Sequence, residues 1–187
     1  QTNDETSWRF YRPGNTGIQG DMATALWLDS DGNPYIAANT GNWGEGGFAK
    51  FDQAQNKWLN FSNVDLPVLG SFENGNIKIT YFVKDQNDNV WMSKFTGALK
   101  FNPSEGASSI VSYDITNSPF TGFTYDVDLA PDGSVWFTNE QTVKYNPTDN
   151  SWTSFDGSDQ LLSVQPKADG SYIVWVAGYY FGNVMQY

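Results

Sequence analysis

Residues 132 to 155 read Asp132-Gly133-Ser134-Val135-Trp136-Phe137-Thr138-Asn139-Glu140-Gln141-Thr142-Val143-Lys144-Tyr145-Asn146-Pro147-Thr148-Asp149-Asn150-Ser151-Trp152-Thr153-Ser154-Phe155. An Asp-Gly turn feeds a short apolar run, a brief loop feeds a second, and a polar Asn-Pro-Thr-Asp-Asn turn feeds a third. Runs of four to six residues rich in Val, Trp, Phe and Tyr between such turns are strands of an antiparallel sheet. Just upstream, Val127 to Ala130 supplies a further strand, so the unit has four.

The unit recurs. Asp31-Gly32-Asn33-Pro34-Tyr35-Ile36, Asp88-Asn89-Val90-Trp91-Met92 and Asp169-Gly170-Ser171-Tyr172 repeat the turn, after apolar strands at Ala25 to Leu28, Ile77 to Val83 and Leu161 to Val164. Phe48-Ala49-Lys50-Phe51-Asp52, Ala98-Leu99-Lys100-Phe101-Asn102 and Val184-Met185-Gln186-Tyr187 repeat the third strand, and Trp58-Leu59-Asn60-Phe61 and Ile110-Val111-Ser112-Tyr113 the fourth. Four strands per unit, repeated around a centre, make the blades of a β-propeller. No segment sustains a 3.6-residue apolar period, so the fold class is all-β.

With strands named a to d from the axis outward, the last unit stops at strand c, while Ser7-Trp8-Arg9-Phe10-Tyr11 matches strand d and has no a, b or c before it. Phe10, Phe61, Tyr113 and Phe155 are spaced by 51, 52 and 42 residues, and the return from Phe155 through Tyr187 to Phe10 is 42. These intervals predict one domain over residues 1–187, a four-bladed ring whose last blade is closed by the N-terminal strand. The alternative is a four-repeat piece of a larger propeller.

The Asp-Gly-x-Val-Trp turn and the Gly-Ala-Leu-Lys-Phe-Asn strand, as in 88 to 102, resemble the regulator-propeller repeats of periplasmic two-component sensors and related secreted proteins. Asp132-Gly133-Ser134-Val135-Trp136-Phe137-Thr138 is similar to repeats of the virginiamycin B lyase family. The resemblance implies a propeller. The lyase family's catalytic His cannot be carried over to a chain with no His, and regulator propellers usually have more blades.

Composition narrows the chemistry. The formal charge is −11 and no basic run is present, which speaks against a nucleic-acid partner. The longest wholly apolar run, Tyr172 to Ala177, is far short of a membrane span. With no His and no Cys there is no His-assisted nucleophile, no zinc site of the usual ligands and no disulfide. An extracytoplasmic location fits this composition, with Gln1 as the residue left after removal of a signal peptide. Asp29-Ser30-Asp31-Gly32-Asn33 and Asp85-Gln86-Asn87-Asp88-Asn89 place oxygens at alternate positions, yet neither supplies the distant bidentate Glu of a calcium loop. They read as turns, and no metal or cofactor is expected. Glu45 and Glu140 fall on equivalent b–c loops, where a carboxylate pair could serve a glycosidase; solvated surface is the simpler reading, and no enzyme is expected.

Trp27, Trp58, Trp91, Trp136, Trp152 and Trp175 lie within strands, and Trp8 in the closing strand, as interblade packing. Trp43 lies instead in a Gly-rich b–c loop. In a propeller the b–c and d–a connections share one face, which collects Trp43, Glu45, Phe95, Glu140, Tyr179, Tyr180, Phe72 and Phe123. Aromatic rings among Asn, Asp and Glu suit a protein hot spot or sugar stacking. The expected function is a non-catalytic binding module that docks on a protein partner or larger surface complex, with oligosaccharide recognition or ligand sensing as the alternative, and rings that plug the central channel as the purely structural explanation.

Overall fold

The computed structural model describes residues 9–40, 45–70, 77–156, 160–178 and 184–187. Its strands are β1 (Met22–Leu28), β2 (Pro34–Asn39), β3 (Gly46–Asp52), β4 (Lys57–Ser62), β5 (Ile79–Lys84), β6 (Val90–Lys94), β7 (Gly97–Phe101), β8 (Val111–Tyr113), β9 (Asp126–Leu129), β10 (Val135–Thr138), β11 (Thr142–Asn146), β12 (Ser151–Phe155), β13 (Leu161–Pro166), β14 (Tyr172–Ala177) and β15 (Val184–Gln186). They form four antiparallel sheets in chain order, three of four strands and a last one, β13-β14-β15, of three. The innermost strands touch in series, β1 to β5, β5 to β9 and β9 to β13.

Turn chemistry sets the register. The a–b turns are closed by Asp29 N–H to Asn33 O, Asp85 to Asn89, Ala130 to Ser134 and Lys167 to Ser171. One residue in each, Gly32, Asp88, Gly133 or Gly170, has φ between 61° and 83°, a conformation that Gly, Asp and Asn tolerate best. Tyr35, Trp91, Trp136 and Ile173 consequently stand at equivalent b-strand positions, opposite Trp27, Val83, Asp128 and Gln165.

Alternation then splits each sheet into two faces. One packs forward on the next blade: Tyr35, Ala37, Phe48 and Phe61 of blade one meet Phe82, Met92, Leu99 and Phe101 of blade two. Trp91 meets Val135, Phe137 and Tyr145 of blade three, and Trp136 and Phe155 meet Val174, Val176 and Met185 of blade four. The core is therefore a stack of aromatic interblade layers. The expected interblade role holds for Trp27, Trp91, Trp136 and Trp152, while Trp58 packs on Tyr11 and Ile18. Trp175 departs from it, since its ring lies on the outward face of blade four and is exposed.

Among the described residues no N-terminal strand joins the last sheet, so the expected ring closure is not confirmed. Arg9 to Tyr11 is not a strand, and it lies on blade one rather than beside β15. Tyr11 packs on Phe51 at 5.7 Å and on Trp58 at 5.4 Å, and Arg9 Nη1 donates to Asn56 Oδ1. Within the chain, Tyr113 of blade two packs in the same way on Tyr145 and Trp152 of blade three, at 6.1 and 5.2 Å. Arg9 to Tyr11 thus lies against blade one through the same ring contacts that Tyr113 makes with blade three, without pairing as a strand. The physical reason is the ring shelf of Phe51 and Trp58, which gives Tyr11 the apolar contact that each outer-strand ring makes with the following blade.

A second correction concerns Tyr187. It exchanges both backbone hydrogen bonds with Val174, which places it where Ala49, Leu99 and Val143 stand and two residues short of the ring position of Phe51, Phe101 and Tyr145.

Candidate functional site

The b–c and d–a connections meet on one face, and among the sequence-predicted contacts four are described: Glu45, Phe95, Phe123 and Glu140. Trp43, Phe72, Tyr179 and Tyr180 lie outside the described residues, as does Trp8. Phe95 follows β6 in the b–c loop of blade two, anchored by its N–H to Lys78 O at 3.0 Å. Thr124 N–H reaches back to Phe95 O at 3.2 Å, tying the d–a segment before blade three to that loop. Phe95 and Phe123 therefore stack, with centroids 3.8 Å apart and planes inclined by 29°. Tyr125 stands edge-on to Phe123 at 6.4 Å.

Phe95 is half-buried, while Phe123 keeps 43% of its surface exposed, so the stack is anchored on one side and open on the other. Gly122 next to it has φ 74°, and a Cβ there would overlap the Glu140 carboxylate. Glu140 thereby lies directly over the segment that carries Phe123. Glu45 is exposed at the start of β3, its carbonyl accepting the Thr40 N–H across the blade-one loop. Glu45 and Glu140 belong to blades one and three, and both are exposed.

Beneath this face are groups that the sequence reading did not single out. Lys94, at the end of β6, is buried and donates to Ser112 Oγ at 2.9 Å. Burial pulls its pKa down, against the Asp114 carboxylate, which pushes it up. The signal was available, because the equivalent positions are Ala38, Asn139 and Val176. Along the axis, Thr24 Oγ1 donates to Ile79 O and Thr80 Oγ1 to Tyr125 O. At the next joint the polarity reverses: Asp126 Oδ2 accepts Leu162 N–H at 3.0 Å and Asp128 Oδ2 accepts Val164 N–H at 2.7 Å. Burial raises Asp126 to about 6 against the two backbone N–H bonds that lower it.

The Asp-rich turns on the opposite face are committed to their own backbones. Asp29 Oδ1 accepts from Asp31 N and Asn33 N, and Asn33 Nδ2 bonds both carboxylate oxygens. Asp85 repeats the arrangement with Asn87 and Asn89, and its Oδ2 also takes the Trp91 Nε1–H at 2.8 Å. Among the described residues no three His, Cys, Asp or Glu group as metal ligands.

No protein-family model and no curated protein matches the sequence. Among solved structures, the chain is similar to the extracellular domain of BT4673, described as a one-component system of B. thetaiotaomicron, at 16% identity and TM-score 0.60, over 89% of this chain and 22% of that one. It is similar to PorZ, a surface component of the type-IX secretion system of Porphyromonas gingivalis, at 19% identity and TM-score 0.58, over 87% and 24%. The WD40 domain of Neurospora crassa Pan2 matches at 10% identity and TM-score 0.54, over 88% and 49%. This chain spans about a quarter of the first two. At these identities the likeness is one of fold, and at that level the resemblance to regulator-propeller domains holds. Among the described residues no helix is long and apolar enough to cross a membrane.

Proposed function

We propose that residues 1 to 187 act as one extracytoplasmic propeller domain that recognises a protein partner through its b–c and d–a loop face, binding rather than catalysing. The observation that carries this reading is the Phe95–Phe123 stack, in which a ring anchored through backbone hydrogen bonds presents a second, open ring to solvent. A preorganised aromatic anchor loses little freedom on binding, which is what a hot spot needs. Glu45 and Glu140 suit a basic rim on the partner, and by loop position Trp43, Phe72, Tyr179 and Tyr180 extend the same surface. An extracellular domain and a secretion-system surface component among the fold neighbours support an interaction or sensing role outside the cytoplasm.

The Glu140 carboxylate beside an open ring also suits an oligosaccharide, where a ring stacks on the sugar and a carboxylate accepts its hydroxyls. Both readings are tested with the same variants. Phe123→Ala removes the open ring and is expected to weaken the complex with a partner captured on immobilised protein by about 30-fold, the ~2 kcal/mol of a hot-spot ring. Lys57→Ala, exposed at the start of β4 beside the c–d turn of the opposite face, should bind as wild type. Saturable binding on an oligosaccharide array that Phe123→Ala abolishes would favour the sugar. Loss with Lys57→Ala and not with Phe123→Ala would put the binding surface on the other face.

A further inference from the structure

The two outward blade faces carry an inference independent of the loop face. Leu26 stands opposite Ile36 as Phe82 stands opposite Met92, Val127 opposite Phe137 and Val164 opposite Val174. Phe82 and Val127 retain 5% and 4% of their surface, because each packs back on the preceding blade, whereas Leu26 retains 72%. Leu26, Ala23, Ile36 and Ala38 instead line an open groove of about 740 Å³, bounded on its outer side by Tyr11 and Trp58.

Blade four has the complementary imbalance. Trp175 stands opposite Ser163 at the forward-facing position held by Ala37, Ser93 and Thr138, all buried. Trp175 retains 37% of its surface and Leu161 on the same face 60%. No described strand pairs with the outer edge of β15, while Arg9 to Tyr11 already lies against blade one.

We infer that a second copy of this chain packs head to tail on the first, the forward face of blade four, with Trp175 and Leu161, filling the blade-one groove around Leu26 of its neighbour. The occupant follows from the three interblade joints inside the chain: back faces of this repeat pack on forward faces of this repeat, and blades one and four expose one of each. The contact is heterologous, so it uses two different surfaces. It also brings the β15 edge of one copy beside Arg9 to Tyr11 of the other, where a fourth strand belongs, and covers an edge and two apolar faces that the described residues leave open.

Two variants decide it by sedimentation equilibrium and light scattering. Leu26→Asp spoils the back face and Trp175→Asp the forward face; both positions are exposed in the single chain, and far-UV circular dichroism and thermal unfolding check that each variant folds. Should Trp175→Asp fail that check, Leu161→Asp replaces it. Wild type is expected above monomer mass, and each variant alone as a monomer. An equimolar mixture of the two variants should restore a 1:1 dimer, since each keeps the surface the other lost. Monomeric wild type at every concentration, a single variant that still associates, or a mixture that stays monomeric overturns the inference.

Discussion

Replacing Asp126 by Asn is expected to reverse part of the protein's pH dependence of stability. Asp126 bridges blades three and four by accepting Val127 N–H on Oδ1 and Leu162 N–H on Oδ2, in a buried position that raises its pKa from 3.8 to about 6. Because the folded state binds this proton more tightly than the unfolded chain does, the stabilisation it brings is complete below about pH 4. It is lost as pH rises through about 6. Two pH units at ~1.4 kcal/mol each bound the effect at about 3 kcal/mol, and partial hydration of the axis reduces it to roughly 1–3 kcal/mol. Asn keeps an acceptor oxygen and never ionises. Relative to wild type, Asp126→Asn should therefore be less stable at pH 4.5, by about 1 kcal/mol for the hydrogen bond lost, and gain on wild type steadily up to pH 7. At roughly 2–4 °C per kcal/mol for a chain of this size, the relative melting temperature should move by several degrees. Thermal unfolding by near-UV circular dichroism at pH 4.5, 5.5 and 7.0 reads it, and the difference between proteins cancels the repulsion common to both. The lowered carboxylates, Asp29, Asp114 and Asp132 among them, act below pH 4 and leave this window clear. Parallel pH profiles for the two proteins would refute the reasoning.

Gly97→Ala should be among the most destabilising single changes, by several kcal/mol in urea unfolding, because its Cβ would lie 1.9 Å from Tyr113 O at a φ of 132°; an unchanged midpoint would contradict the close approach of β7 and β8. Tyr11→Ala should uncover Trp58 and Phe51, shift tryptophan emission to the red and cost about 1–2 kcal/mol, whereas an unaltered spectrum would mean the N-terminal segment does not rest on blade one. Trp91→Phe keeps most of the buried ring and removes the Nε1–H bond to Asp85, so a loss of about 1–3 kcal/mol in thermal stability is expected. Calcium or a chelator should leave the melting temperature unchanged, since the Asp29 and Asp85 carboxylates are filled by their own turns; a chelator-dependent shift would mean that a metal binds the fold.

What the amino-acid sequence determined by itself is the blade. Its signals are local: an Asp or Asn that accepts two nearby backbone N–H groups, a Gly or Asp that enters the left-handed region, and apolar alternation that survives any surroundings. Each acts within about ten residues, so the turns before Tyr35, Trp91 and Trp136 could be aligned, and Trp91 and Trp136 assigned to interblade packing, from the sequence. The b–c loop position of Phe95 and Glu140, and Phe123 in the d–a segment, followed from the same strand count. Where the N-terminal segment rests was not legible, because Arg9 to Tyr11 has the same pattern whichever neighbour it meets. Only the shelf of Phe51 and Trp58 decides that it rests on blade one. The two-residue offset of Tyr187 likewise comes from its pairing with Val174 across the sheet. Tertiary structure alone stacked Phe95 on Phe123, buried Lys94 and turned Asp126 toward Leu162 N–H. Those contacts join residues 18 to 36 positions apart, and their energy exists only once neighbouring blades are packed and water is excluded from between them.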